Sequence, residues 1–386
     1  MGFRRYLSVV IGLLIVLAIS CVGFTSSDKV IKFGILAPFT GGSAPNGDAT
    51  KNGALLAIEQ INKEGGILGH KLELVWEDSQ GAATPAVTAA QKLIYQHKVD
   101  AIIGDTQSTA VLAAEPLIAK EGLILFPLGS AEKITQLGNP WIFRVREHDE
   151  LAGICIINFI VDNLGLSKVA ILHSTDQFGV GGAETIAQAL ANKDMEPVAV
   201  EAFNTGDRDF TGQLLNIKSA GAEALIGWAF DVELALMCRQ ARQLLPGVQL
   251  FGSGTAGQES FLQIAGEAAN GLVGVVTFNA NLKDPAVEEL VSQYKERFGT
   301  VPQNFFVSLA YDAVNLYKMA AEKAGSVEKA AVRDAMRTLR NVKGSHGLTY
   351  NVAKNGQTLN ELFIIQIQDN KAVVIDKAVN ENVEFD

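Results

Sequence analysis

The sequence predicts an α/β protein built as two doubly wound, parallel-sheet lobes, and three observations lead there. From Val30 onward a short β-rich run, a polar or Gly-bearing turn and an amphipathic helical stretch follow one another repeatedly, the rhythm of βα units. Several of the β-rich runs are apolar without interruption, as strands covered on both faces are. The chain has 386 residues, too many after removal of a leader for one core at about 100–200 residues per domain.

The leader comes first in the chain. Arg4 and Arg5 precede an apolar run from Leu7 to Ile19, followed by small residues and Cys21, which is the pattern of a secretory signal over residues 1–27. The run falls short of the about 20 apolar residues a membrane-spanning helix needs. Leu17-Ala18-Ile19-Ser20-Cys21 resembles a bacterial lipoprotein box, with Ala18 where Leu is usual, and lipidation would make Cys21 the mature N-terminus. The Arg4-Arg5 pair also fits a twin-arginine signal, although ordinary basic leaders carry such pairs too.

The first strand is Ile31 to Ala37, and the helix after it carries Ala54, Ile58 and Ile61 on one face. That helix stops between Asn62 and Gly66, where glycines take the positive φ of a C-cap. Next come a strand from Leu72 to Trp76 and a helix opened by Thr84 as cap with Pro85 in its first turn. Val99 to Ile103, apolar apart from Asp100, and Leu123 to Phe126 are short apolar runs of the kind buried strands show. A second series follows Pro140 to Arg146, with strands at Lys168 to Leu172, Pro197 to Val200, Ala224 to Gly227 and Val248 to Phe251, and a helical pattern from Val232 to Leu244. No Pro/Ser/Gly-rich linker separates the two series, so short strands or turns are expected to join them as a hinge.

Composition and motifs exclude several classes. The net charge is −10, with no Lys/Arg cluster or basic helix, so nucleic acid is not an expected partner. Cys155 and Cys238 lie in helix-like apolar patterns and are expected as two buried thiols rather than a disulfide. There is no G-x-S-x-G elbow, Walker A lysine, H-E-x-x-H or zinc-spaced Cys pair. Gly252-Ser253-Gly254-Thr255-Ala256-Gly257 matches G-x-G-x-x-G, but Val276 and Thr277 stand where an acid should grip a ribose. The run Arg146-Glu147-His148-Asp149-Glu150 offers metal-ligand chemistry, yet adjacent residues diverge on a helix start, so a solvated charged turn is expected. The expectation is a protein that is not an enzyme and needs no cofactor or metal.

In open α/β sheets ligands sit beyond the carboxyl ends of the strands. The turn Gly104-Asp105-Thr106-Gln107-Ser108-Thr109 opens a helix, where unpaired N–H groups and the dipole suit a carboxylate. Pro127-Leu128-Gly129-Ser130-Ala131 is a similar turn. Ordinary N-capping by Ser and Thr produces the same pattern. In the second series, Phe178 follows one strand and Trp228, Phe230 and Asp231 follow another; these aromatics line a pocket or pack as core.

Ile35-Leu36-Ala37-Pro38-Phe39-Thr40-Gly41, Gly47, Asn52-Gly53-Ala54 and Asn62-Lys63-Glu64-Gly65-Gly66-Ile67-Leu68-Gly69 resemble the opening of periplasmic branched-chain (leucine/isoleucine/valine) amino-acid binding proteins. Further matches at Ile103-Gly104, Glu121-Gly122, Phe143-Arg144, Asp209-Phe210-Thr211, Arg239-Gln240-Ala241, Ala265-Gly266, Gly271 and Tyr311-Asp312-Ala313 carry the resemblance along nearly the whole mature chain. It implies a type I periplasmic binding fold with a three-strand hinge, one lobe formed by residues 30–144 and 278–342 and the other by 145–277 and 343–386. It also implies an exported, periplasmic or lipid-anchored monomer that captures an amino acid or another carboxylate by lobe closure and delivers it to ABC permease and ATPase subunits of the inner membrane. By the same likeness Ser108 and Thr109, beside Gln107, would hold a ligand carboxylate, and Gly129 and Ala131, beside Ser130, would face its ammonium. Asn46, Phe178, Phe230 and Gly254 fall at the remaining pocket positions.

Two positions depart from the family's pattern. Gly254 stands where amino-acid binders usually place an acid for the ammonium, and Ala131 where they place a hydroxyl. Burying an unpaired ammonium costs several kcal/mol, so either Asp231 or Asp105 supplies the missing charge, or the ligand has no ammonium. In the second case Trp228, Phe178 and Phe230 enclose an aromatic or aliphatic carboxylate; relatives of this fold also take amides and urea. A sensory receptor module of the same fold is the rival reading; it is normally fused to a membrane span or signalling domain, and none follows Val374.

Overall fold

The computed structural model describes residues 30–379 and Glu384. The leader with Cys21 lies outside these residues, as do positions 380–383 and 385–386. The first series comprises β1 (Ile31–Ala37), α1 (Ala44–Lys63), β2 (Leu72–Asp78), α2 (Ala83–Gln91), β3 (Ala101–Gly104), α3 (Ser108–Lys120), β4 (Ile124–Phe126) and the short α4 (Lys133–Gln136). The second comprises α5 (Asp149–Asn158), β5 (Val169–Ser174), α6 (Gln177–Ala191), β6 (Ala199–Phe203), α7 (Thr211–Ser219), β7 (Ala224–Trp228), α8 (Asp231–Leu244), β8 (Gln249–Gly252), α9 (Glu259–Ala265) and β9 (Val273–Val276). The chain ends with α10 (Pro285–Phe298), α11 (Phe306–Ala324), α12 (Lys329–Met336), the small ladder β10 (Val342–Lys343) and β11 (Thr349–Tyr350), then β12 (Glu361–Gln368) and β13 (Lys371–Val379).

Two main sheets result. One is parallel in the order β2-β1-β3-β4; the other runs β13-β12-β9-β8-β7-β5-β6, with β12 and β13 antiparallel to their neighbours. The continuous apolar runs are explained by period-2 alternation between two covered faces. On β1, Phe33, Ile35 and Ala37 face a core shared with Ala54, Ile58 and Ile61 of α1 and Tyr317 of α11. Leu36 faces the other way, toward Ala86, Ile102 and Val111. On β5, Ala170 and Leu172 point to one core and Val169 and Ile171 to another.

Three segments pass between the sheets: β4 to α5, β9 to α10, and α12 to β12. After the second crossing, α10 and α11 return to the first sheet's helices, where Arg297 Nε meets Glu59 at 2.8 Å and the Tyr311 hydroxyl donates to Gln60 at 2.7 Å. The first and third crossings bond to each other: the Arg144 amide donates to the Gly356 carbonyl at 2.8 Å and the Thr358 amide to the Arg144 carbonyl at 3.1 Å.

Two local expectations are corrected. Thr84 does not cap α2, which begins at Ala83 with no side-chain cap; Ser79 closes the preceding turn instead, its carbonyl accepting from the Ala82 amide at 3.1 Å. The strand expected from Pro197 to Val200 starts at Ala199 and reaches Phe203, because it is an edge strand whose alternate residues face solvent and whose anchor is the buried Phe203 against Phe210, ring centroids 4.8 Å apart. Cys155 and Cys238 are buried and unpaired, and burial pushes their thiols up to about 12 and about 11. No helix among the described residues is long and apolar enough to cross a membrane.

Gly104 closes β3 with φ +118°, and a Cβ there would lie 1.9 Å from the Leu36 carbonyl oxygen on β1. Both the left-handed backbone and the close approach require glycine. Gly104→Ala is therefore expected to lower unfolding free energy by about 3 kcal/mol or more, read from urea denaturation.

Candidate functional site

A small cavity lies where the carboxyl ends of the strands of both sheets face each other. Asn46 on α1, Thr106 and Ser108 around the start of α3, and Ser130 after β4 line it from one side. Phe178 on α6, Phe230 before α8, and Thr255 and Gln258 between β8 and α9 line it from the other, with Arg146, Phe305 and Phe306 where the chain crosses. The space open to the centre of a water-sized sphere is about 10 Å³, room for about one water. Thr109 Oγ1 accepts from the Gln177 amide at 3.4 Å across the cleft, so the two sides are in contact.

On the first side, the turn into α3 is held by Asp105, whose carboxylate accepts from the Gln107 amide at 2.8 Å. Gln107 turns its own side chain to Ser43, 3.0 Å away. Gln107, the N-cap of α3, makes no side-chain cap bond. Ser108 Oγ accepts from the Ala131 amide at 3.2 Å, which ties the two turns together. Gly129 makes that approach possible, since a Cβ there would lie 2.9 Å from Ser108 Cα. The carbonyls of Ser130 and Ala131 accept from Arg144 at 3.0 and 2.8 Å, so those acceptors serve the crossing segment.

On the second side, Phe178 and Phe230 stack with centroids 5.0 Å apart, and Trp228 sits behind Phe178 at 6.0 Å. Trp228 is buried against Gly182, where a Cβ would reach its ring, and so supports the wall without lining it. Asp231 is buried as the first residue of α8, off the cavity wall, as are Gln107, Thr109, Gly129 and Ala131. Gly254 opens a 3-10 turn whose neighbours Ser253 and Thr255 both donate to the Ala229 carbonyl, at 2.9 and 3.0 Å. The G-x-G-x-x-G segment therefore uses its hydroxyls internally and starts no long helix.

The expected solvation of the 146–150 run is corrected: Arg146, Glu147, His148 and Asp149 are all buried and only Glu150 is exposed. The segment crosses between sheets, and contacts from both sides cover it. Arg146 Nη2 pairs with Glu147 in the place where a side chain at 254 would begin, since a Cβ on Gly254 would lie 3.2 Å from Glu147 Oε1 and 3.4 Å from Arg146 Nη2. His148 turns the other way, its Nδ1 2.6 Å from Glu132. Glu132, His148 and Glu150 bring ligand-type atoms within 4.8 Å of one another, but Arg144 stands 3.9 Å from Glu132 and already compensates that charge.

Thr106, on the turn that the sequence marks for a carboxylate, and Arg146, in the charged run, line the cavity although neither was singled out as a site residue. Gln258 and Phe305-Phe306 carried no local signal; their place follows from the second and third crossings. Several buried polar atoms at the cavity residues have no hydrogen-bond partner: Thr106 Oγ1, Arg146 Nε and Gln258 Nε2.

Two α/β lobes meeting over a small polar and aromatic cavity define a ligand-binding clamshell. The chain matches the periplasmic binding protein family over residues 30–372 and belongs to it. It is 31% identical over 324 residues to a leucine-, isoleucine-, valine-, threonine- and alanine-binding protein of Pseudomonas aeruginosa, covering 83% of this chain and 86% of that one. The leucine-binding protein of Thermotoga maritima superposes with TM-score 0.83 at 27% identity, covering 91% of this chain and 99% of that one. A solute-binding protein of R. palustris in complex with benzoate shares the fold, with TM-score 0.82 at 19% identity and coverage of 92% and 99%.

Burial pushes the Asp105 carboxyl up to about 7, against the opposing hydrogen bonds from Ser79 and the Gln107 amide. Between about pH 4 and pH 7 the unfolded chain ionises this group while the folded chain keeps it protonated, so its contribution to stability is lost as pH rises through that window. Asp149 and Asp312 are displaced in the same direction, also to about 7. Asp105→Asn is expected to reduce the fall in unfolding free energy between pH 5 and pH 8, by up to about 1.4 kcal/mol per pH unit, without abolishing it; urea titrations at the two pH values measure this.

Proposed function

We propose that this protein is the extracytoplasmic solute-binding component of an ABC importer, closing two lobes over a small carboxylate-bearing ligand. The observation that carries this reading is the cavity itself: the start of α3 with Ser108 on one side and the stacked Phe178 and Phe230 on the other meet over it. A helix start whose Ser108 hydroxyl, accepting from the Ala131 amide, keeps its proton to donate suits a carboxylate, and the aromatic pair suits an apolar tail. Ser108 takes the carboxylate, with Asn46, Ser130 and Phe230 completing the enclosure. Residues 30–144 with 278–342 form the capture lobe, and 145–277 with 343–386 the closing lobe.

Binding shifts the population toward the closed form that permease and ATPase subunits recognise. No bond is made or broken. The leader directs export, and lipidation at Cys21 would tether an otherwise monomeric protein to the membrane surface. A branched-chain or other apolar amino acid is the ligand the Pseudomonas relative's name suggests; a carboxylate without an ammonium is favoured by Gly254, which leaves the usual acid position without a carboxylate of its own.

Thermal unfolding against α-amino acids, aromatic and aliphatic carboxylates, amides and urea tests the reading. A ligand at about 100 times its Kd stabilises by about 2.7 kcal/mol, and a melt that none of the panel shifts overturns it. Phe178→Ala and Phe230→Ala are expected to reduce the ligand-induced compaction seen by small-angle X-ray scattering more than they slow capture, because a ligand drives closure only through contacts made better in the closed state.

A further inference from the structure

The cavity wall is rich in donors and has no carboxylate. Arg146 is 5% exposed, and its guanidinium carbon stands 5.1 and 5.9 Å from the Phe305 and Phe306 ring centroids. Nη1 donates to the Leu128 carbonyl at 3.1 Å, Nη2 pairs with Glu147, and Nε has no partner. Gln258 is oriented as a donor as well: Asn304 Nδ2 occupies its Oε1 at 3.2 Å and also binds Asn46 Oδ1 at 2.7 Å, which leaves Gln258 Nε2 unpartnered. Thr106 contributes a third unpartnered group, and Ser108, whose Oγ accepts from Ala131, keeps its own proton to donate. Glu147 meets Arg146 through Oε1 and leaves Oε2 without a partner, but it does not line the cavity, and neither do Asp105 and Asp231.

Such a wall favours oxygen acceptors and disfavours a cation. A ligand ammonium placed beside the Arg146 guanidinium, with no free carboxylate on the wall, would carry the cost of an unpaired buried charge. We propose that Arg146 is the specificity-determining residue of the cleft, and that the ligand class is a small organic acid that lacks an ammonium and carries a second oxygen acceptor, a 2-oxo group or a second carboxylate, received by Arg146 and Gln258. This rests on the solute-binding reading above and names the ligand class for it.

The test compares ligands of matched shape. Isothermal titration calorimetry of the purified protein with leucine, its 2-oxo counterpart 4-methyl-2-oxopentanoate, and succinate needs no variant for its first answer: an oxo acid or dicarboxylate is expected to bind at least about tenfold tighter than leucine, the effect of one charge-assisted hydrogen bond. Arg146→Gln is then expected to weaken that ligand about 10- to 100-fold, with Arg146→Lys intermediate. Leucine binding tighter than its oxo acid overturns the inference while leaving the transport reading intact. The absence of binding by all three acids also overturns it, and the broader thermal panel then decides the parent reading separately. Unchanged affinity in a folded Arg146→Gln protein assigns the guanidinium to structure alone and overturns it as well.

Discussion

A guanidinium with no access to solvent must satisfy its donors and its charge inside the protein, and the crossing region is organised around one such group. Arg144 is completely buried. It donates to Gln357 Oε1 at 2.6 Å, to the Ser130 and Ala131 carbonyls, and to Thr135 Oγ1 at 3.1 Å, while Glu132 stands nearby. Desolvation lowers its pKa to about 10, which leaves it charged at neutral pH. Because its partners lie on the loop after β4, on α4 and on the third crossing, one side chain fixes the relation of three segments. The loop it holds presents Ser130 to the cavity and donates the Ala131 amide to Ser108, and Gln357 in turn donates to the Arg146 carbonyl at 2.6 Å. The cavity geometry follows from this buried cation.

The neighbouring Arg146–Glu147 pair shows the same electrostatics at the cavity edge. Two buried charges are tolerable only with close pairing and further hydrogen bonds, and Arg146 obtains these from Glu147, the Leu128 carbonyl and the faces of Phe305 and Phe306. Glycine at 254 leaves room for the pair.

Much of the architecture is legible in the sequence. β1 agrees residue for residue, and Ala54, Ile58 and Ile61 are buried on α1 as their spacing predicts, because periodicity records which face meets a core. Strand ends were less legible. β6 begins later than predicted because on an edge strand one anchoring aromatic outweighs the local apolar run. At the cavity, Asn46, Ser108, Ser130, Phe178 and Phe230 lie on the lining, whereas Trp228 stands behind it; an aromatic at a strand end reads the same in either role.

The order of βα units, the buried strands, the glycine-bearing turns and the family likeness were determined by the sequence alone, since each rests on contacts between residues close in the chain or on a pattern along it. The tertiary structure decided what depends on three distant crossings meeting: that the charged run after Arg144 is buried, that Arg146 and Gln258 share a wall with Ser108, and that Phe305 and Phe306 cover the guanidinium. Local sequence cannot report these, because whether a charged side chain is solvated or desolvated is set by what packs over it from elsewhere in the chain.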